Sequence, residues 1–189
     1  MEDRQEVKAG NASGPYASPK AEPNAVTSGL LRIIPLLHLV AAICLALFLT
    51  AVLAWPLLKR TPAEPILWWC FDAYCHNIPA RSIYLAGEPL PVCSRCTGVI
   101  AGYLLGAVAA LCGAEKTPVW RLPWAILFIC LMGVSWLGGY YGILKPHWHA
   151  ERVVAGALGG IGGYIFIARC VVLGAHWWQR RKQHQPAAA

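Results

Sequence analysis

Charge is what this sequence has least of. Only 13% of its 189 residues are Asp, Glu, Lys or Arg, while 57% are hydrophobic. A soluble domain carries about 25% charged residues, so too few are present here to cover a water-facing surface. A soluble globular fold is therefore excluded. Acids are especially scarce, nine against sixteen Lys and Arg, for a net charge of +7. That surplus forms no basic face and is not interleaved with aromatics, so nucleic acid is excluded as a partner. The basic residues lie between apolar stretches and at the ends, next to where anionic lipid would be. Other absences narrow the function. No apolar stretch carries paired acids or a broken-helix pattern, which argues against a transporter. A nucleophile with an adjacent base is not visible either. A secretory signal peptide is not expected, because its apolar core would not begin behind so long a polar lead.

What is present is long apolar runs, and they predict an all-α, polytopic membrane protein in contact with the lipid bilayer. Residues 1–28, rich in Pro, Ala, Ser, Asn and Glu, read as a disordered tail. Residues 29–178 form a membrane domain with four transmembrane helices at about 33–57, 97–111, 122–144 and 153–173, and 179–189 form a basic tail. The first run is long enough, at 1.5 Å per residue, to cross a bilayer core of about 30 Å. His38 inside it reads as a polar residue one turn from the interface. Between the first two spans, residues 60–96 form a Cys/His loop. Trp68, Trp69, Phe71 and Tyr74 mark the membrane boundary there, on a short interfacial helix from about Pro65 to Tyr74. Ile83 to Val92, with Gly87 in the middle, predicts a hairpin-like turn.

Glycines recur at intervals of four in the second span (Gly98, Gly102, Gly106) and the fourth (Gly156, Gly160), the spacing that lets membrane helices pack closely. These two spans are expected to pair. Arg95 and Arg152 each precede such a Gly-x-x-x-Gly start, a faint internal echo. Four spans put both termini on one side with ten of the sixteen Lys and Arg. The other side has six: Lys59, Arg60, Arg81, Arg95, Lys145 and Arg152. The positive-inside rule then places the termini in the cytoplasm and the Cys/His loop outside. In either orientation the loops at 60–96 and 145–152 share a side, so His147, His149 and Arg152 can meet the cysteines.

Eight cysteines fall into two groups. Cys44, Cys112, Cys130 and Cys170 lie within or at the ends of apolar runs, where a thiol behaves as a small hydrophobe. Cys70, Cys75, Cys93 and Cys96 lie in the polar loop and could do chemistry. The stretch from Cys75 to Gly102 also holds His76, Arg81-Ser82 and the Cys93-x-x-Cys96 pair.

Cys75-His76, Pro79, Arg81-Ser82, then Pro91-Val92-Cys93-Ser94-Arg95-Cys96-Thr97-Gly98 and Gly102 resemble a family of small prokaryotic membrane proteins, domain of unknown function 2085. The resemblance covers roughly residues 66–164 and implies a multi-pass protein of a prokaryotic inner membrane. A later family segment carries an Asp, then Ser-x-Asn-x-x-Arg before a glycine-spaced helix. Arg152, Gly156 and Gly160 match its end, whereas His147 and His149 stand near the expected Ser and Asn, and Trp136 near the expected Asp. A role that needs that Asp is not carried over.

Three readings of the loop follow from the residues. In the first, Cys75, Cys93 and Cys96 with one His supply the Cys₃His set that tetrahedral zinc prefers. His76 is the adjacent donor, and His147 or His149 could replace it; soft thiolates would also take Cu(I) or an iron-sulfur cluster. A second C-x₂-C knuckle is missing. In the second, Cys93-x-x-Cys96 is a thiol-disulfide redox pair at a helix N-terminus, where the helix dipole and Arg95 favour a thiolate. Cys70 or Cys75 would then be the exchange partner, and a thiol-containing or membrane protein the substrate. A C-x-x-C at the edge of a four-helix membrane protein looks like the quinone-coupled disulfide-generating enzymes, so the cofactor would be a quinone or none. In the third, inert disulfides pin the loop. Arg81 and Arg95 read as contacts to lipid phosphate or backbone carbonyls, and Ser82, His147, His149 and Arg152 as supporting residues.

Overall fold

The computed structural model describes residues 25–114, 120–143 and 149–183. Residues 1–24 of the expected tail, the turn at 115–118, Lys145 and His147 lie outside them. Four long helices and one small hairpin make up the fold: α1 (Ala25–Leu53), α2 (Trp55–Leu58), α3 (Glu64–Tyr74), β1 (Ser82–Leu85), β2 (Glu88–Cys93), α4 (Ser94–Leu111), α5 (Leu122–Tyr140) and α6 (His149–Gln183). Helices α1, α4, α5 and α6 are each long and apolar enough to cross a bilayer. Their outward faces expose leucines, isoleucines, valines and tryptophans, which suits contact with lipid.

The helix ends differ from the sequence reading in ways the residues explain. The first span stops at Leu53 instead of Leu57. Pro56 lacks an N–H and its ring opposes the carbonyl four residues back, so the chain breaks at Ala54 and restarts as α2. At the other end α1 begins at Ala25, inside the stretch read as tail. The second span starts at Ser94, three residues early, which brings Cys96 into the first turn. The third ends at Tyr140, and positive φ at Gly142 (72°) turns the chain away. The fourth is a single helix to Gln183, so Arg180 and Arg181 extend it beyond the apolar part.

α4 and α6 form the closest pair, with α1 packed on α4 and α5 on α6. Glycine makes that closeness possible. A Cβ at Gly98 or Gly102 would run into the carbonyl of Val153 or Ala157, and one at Gly156 or Gly160 into that of Arg95 or Val99. The two backbones are thus in direct contact over two turns. Farther along, Gly106 faces the ring of Tyr164 instead. The Tyr164 hydroxyl meets Nδ1 of His38 at 2.5 Å, so the histidine inside α1 is engaged in a helix–helix hydrogen bond and does not reach for the interface.

The chain between α1 and α4 folds over the end of the bundle. α3, expected over about 65–74, spans Glu64–Tyr74 and turns Phe71 inward, where its ring meets those of Phe48 and Trp55 edge-on. Phe71, Trp55, Val52, Leu90, Val92, Cys75 and Ile100 form one buried cluster. The expected hairpin is present. Its two-residue turn, Ala86-Gly87, has φ of 52° and 83°, the paired left-handed conformation that suits strand twist and that glycine adopts freely. Ser82 pairs with Cys93 across the ladder, and Lys59 Nζ holds Glu88 Oε2 at 2.7 Å, tying the hairpin to the end of α2.

Candidate metal centre

Each of the three cysteines is placed by a different element. Cys75 ends α3 in extended conformation, its N–H bonded to the Phe71 carbonyl. Cys93 closes β2 and is also the N-cap residue of α4; Cys96 stands one turn into that helix. Because β2 runs directly into α4, the C-x-x-C straddles the strand–helix junction, and α3 brings Cys75 across to meet it. The three Sγ atoms all lie within 4.8 Å of one another. Cys75 is buried and the other two half-buried.

The surroundings favour negative charge on one sulfur, that of Cys75, whereas the hydrogen bonds of Cys96 to Cys75 and then Cys93, with burial, hold the Cys96 thiol far above its ordinary range. The Cys93 N–H donates to Cys75 Sγ at 3.3 Å. The thiols of Cys93 and then Cys96, helped by the backbone N–H groups of Cys93 and Asn77, hold the Cys75 thiol far below its ordinary range despite burial, which acts to raise it. Asn77 can donate because it turns the chain with φ of 44°, a conformation asparagine tolerates better than most residues. The first turn of α4 adds its dipole, with no side chain capping it. Tyr74, beside the triad, answers to the same field. Partial burial, then the charges of Cys96, Tyr103, Cys75 and Cys93, push its hydroxyl up.

The triad fits a thiophilic ion. A tetrahedral zinc with Zn–S bonds of about 2.3 Å separates its sulfurs by about 3.8 Å, so donors already within 4.8 Å of one another need to close in by no more than about 1 Å. Among the described residues the cluster comprises Cys75, Cys93 and Cys96 and no histidine. His76 is exposed and stands outside it, and Cys70 is exposed on α3. His149 does come to this end of the bundle, but its Nδ1 meets Ser94 Oγ at 2.7 Å. That contact joins the two loops, as expected from their sharing a side.

The remaining motif residues act mainly on the scaffold. Buried Ser82 bonds the Ile78 carbonyl at 3.3 Å. Arg81 offers its carbonyl to Ser94 Oγ at 2.8 Å. The Arg95 guanidinium goes to Ser135 on α5, Nη2 lying 3.2 Å from Oγ and 3.3 Å from the carbonyl oxygen, instead of to the thiols. Arg152 is buried. Trp136, near the position of the family's Asp, is exposed and stacks on Tyr140 at 5.7 Å. Sequence reasoning passed over Ser94, Ser135 and Asn77. For Ser94, a small polar residue at the start of a membrane helix beside two cysteines was the available signal; for Ser135 there was none.

A family model described as "Predicted membrane protein (DUF2085)" matches residues 75–166. The match begins at the first triad cysteine and runs through the hairpin, α4, α5 and about half of α6, leaving α1, α2 and α3 outside. An uncharacterized protein of Methanocaldococcus jannaschii is 26% identical over 106 residues, 53% of this chain and 65% of that protein. The alignment thus spans just under two thirds of the relative's length. No solved structure matches.

Proposed function

We propose, for a chain whose residues 75–166 are a domain of the DUF2085 family of predicted membrane proteins, that it binds zinc or a similar thiophilic ion on Cys75, Cys93 and Cys96 at the surface of the membrane. The convergence of three sulfurs from two separate backbone segments, the α3 end and the β2–α4 junction, carries this reading. Thiolates in a half-buried pocket at a helix N-terminus are the soft donors such an ion selects. A fourth donor would come from His76, from His147 or from water. Purified full-length protein should contain about one zinc per chain, lost in Cys93→Ser or Cys96→Ser, with the three thiols unreactive until the metal is chelated. Alanine variants of His76 and His147 assign the fourth donor by which one lowers affinity.

The same cluster supports a second reading. Cys93 and Cys96 sit at the first turn of α4 with Cys75 in reach. Their two thiols would give up two protons and two electrons to a partner disulfide, which is reduced to a dithiol through a mixed disulfide. Metal-free protein with a reversible two-electron couple would select this reading over metal binding. Metal-free protein whose disulfides resist physiological dithiols would contradict both.

The charge asymmetry supports a placement in a prokaryotic cell (inner) membrane with both termini cytoplasmic and the triad outside. An impermeant maleimide should then label Ala86→Cys at the hairpin tip in intact cells above the parent protein. Labelling only after lysis would reverse the orientation.

A further inference from the structure

At the end of the bundle away from the triad, a cavity of about 470 Å³ opens between α1 and α6, with His38, Tyr164 and Arg169 among its apolar walls. That size suits a ligand or part of one. Its polar groups are linked to one another. His38 Nδ1 meets the Tyr164 hydroxyl at 2.5 Å, the Tyr164 ring centroid lies 6.4 Å from that of Trp120, and Arg169 Nε donates to the Trp120 carbonyl at 3.0 Å. Leu37, Ile167 and Val171, on the same walls, are exposed on membrane-spanning helices, so the cavity opens sideways to lipid.

These polar groups keep donors that the described residues do not use. A neutral histidine and a tyrosine have two protons between them and spend one on their mutual bond. In either tautomer one donor is left, the His38 Nε2–H or the Tyr164 O–H. Arg169 has five N–H donors and spends one on Trp120; among the described residues nothing accepts the rest. The four acids among the described residues, Glu64, Asp72, Glu88 and Glu151, all stand at the triad end. Of the remaining acids Glu115 is nearest to Trp120 in sequence, and it lies outside the described residues. A guanidinium with spare donors among apolar walls calls for an oxyanion.

We propose that this cavity binds an anionic glycerophospholipid from the leaflet on the terminus side. Its phosphate lies on Arg169, an ester carbonyl on the His38–Tyr164 pair, and one acyl chain along the apolar walls. A guanidinium fork grips a phosphate in bidentate fashion, and its bond to the carbonyl just before α5 holds it near the membrane edge. Tyr164 is five residues deeper along α6, about 7.5 Å, on the side of the phosphate where the ester oxygens of such a lipid lie. The open side leaves the second chain in the bilayer. The site is at the opposite end of the bundle from the sulfur triad and stands whether or not the triad holds metal.

Full-length protein in nanodiscs of phosphatidylglycerol and phosphatidylcholine, mixed equally, provides the test, with retained lipid counted by native mass spectrometry. About one phosphatidylglycerol per chain should be retained in preference to phosphatidylcholine. Arg169→Gln should weaken that retention about tenfold. Ala41→Phe, which fills the cavity and leaves Arg169 in place, should weaken it as well and keeps the test open if Arg169→Gln does not fold. Arg180→Gln, exposed on α6 beyond the apolar part, should retain lipid as wild type does. Equal retention of the two lipids, as expected if Glu115 or a second copy of the chain filled the site, would overturn the proposal. So would undiminished retention in folded Arg169→Gln or folded Ala41→Phe, or a loss in Arg180→Gln as large as in Arg169→Gln.

Discussion

The two ends of the α4–α6 pair are built differently. At the loop end the helices touch backbone to backbone through Gly98, Gly102, Gly156 and Gly160, and Ser94 locks the contact by meeting His149, while Arg95 ties α4 to Ser135 on α5. At the far end an aromatic ring keeps them apart. Tyr164 lies against Gly106, Tyr103 and Trp120, and its hydroxyl meets His38. A cavity of about 470 Å³, lined by His38, Tyr164 and Arg169 among apolar residues, opens there. Direct backbone contact leaves little freedom, and it occurs where the cysteines need fixed positions. The ring-spaced end tolerates looser packing.

Substitutions can break that contrast, and the largest effect is expected at the seam. Gly102→Leu forces a branched side chain into the Ala157 carbonyl and should abolish most folded yield, a cost at or above the usual 1–3 kcal/mol of overpacking. Wild-type yield and melting temperature would remove the seam from the account. Next comes Ser94→Ala, which takes one hydroxyl away from both the Arg81 carbonyl and His149. About 1–3 kcal/mol should be lost, read as a lower melting temperature. Loss of zinc affinity should accompany it, since the residue precedes α4's cysteine. The smallest effect is expected from Tyr164→Phe, which removes only the hydroxyl facing His38 and should cost about 0.5–1.5 kcal/mol with metal content unchanged. If it equalled Gly102→Leu, the two ends would not differ as described.

Those parts of the molecule that depend on length and local chemistry could be read in the sequence. Four apolar runs of spanning length, glycines four apart, Gly87 at a hairpin tip and a C-x-x-C at the start of a helix all carry their meaning within a short window. Pro56 carried the break at Ala54 just as locally, yet the apolar run around it masked the signal. Long-range partnerships could not be read. Arg95 stands beside two cysteines in sequence, but its guanidinium finds Ser135, 40 residues away on another helix. His149 serves Ser94, while adjacent His76 stands exposed beside the triad it borders in sequence. Which side chain fills a contact is decided by how helices cross, and spacing along the chain does not encode that.

The central claim is that three sulfurs from the α3 end and the β2–α4 junction hold one metal ion. X-ray absorption at the zinc edge, recorded on full-length protein purified with its metal, tests it most directly. Three sulfur scatterers at about 2.3 Å, with one lighter atom at about 2.0–2.1 Å, are predicted. A bound zinc surrounded only by nitrogen and oxygen, or by sulfur whose signal survives combined Cys75→Ser and Cys93→Ser substitution, would contradict the assignment.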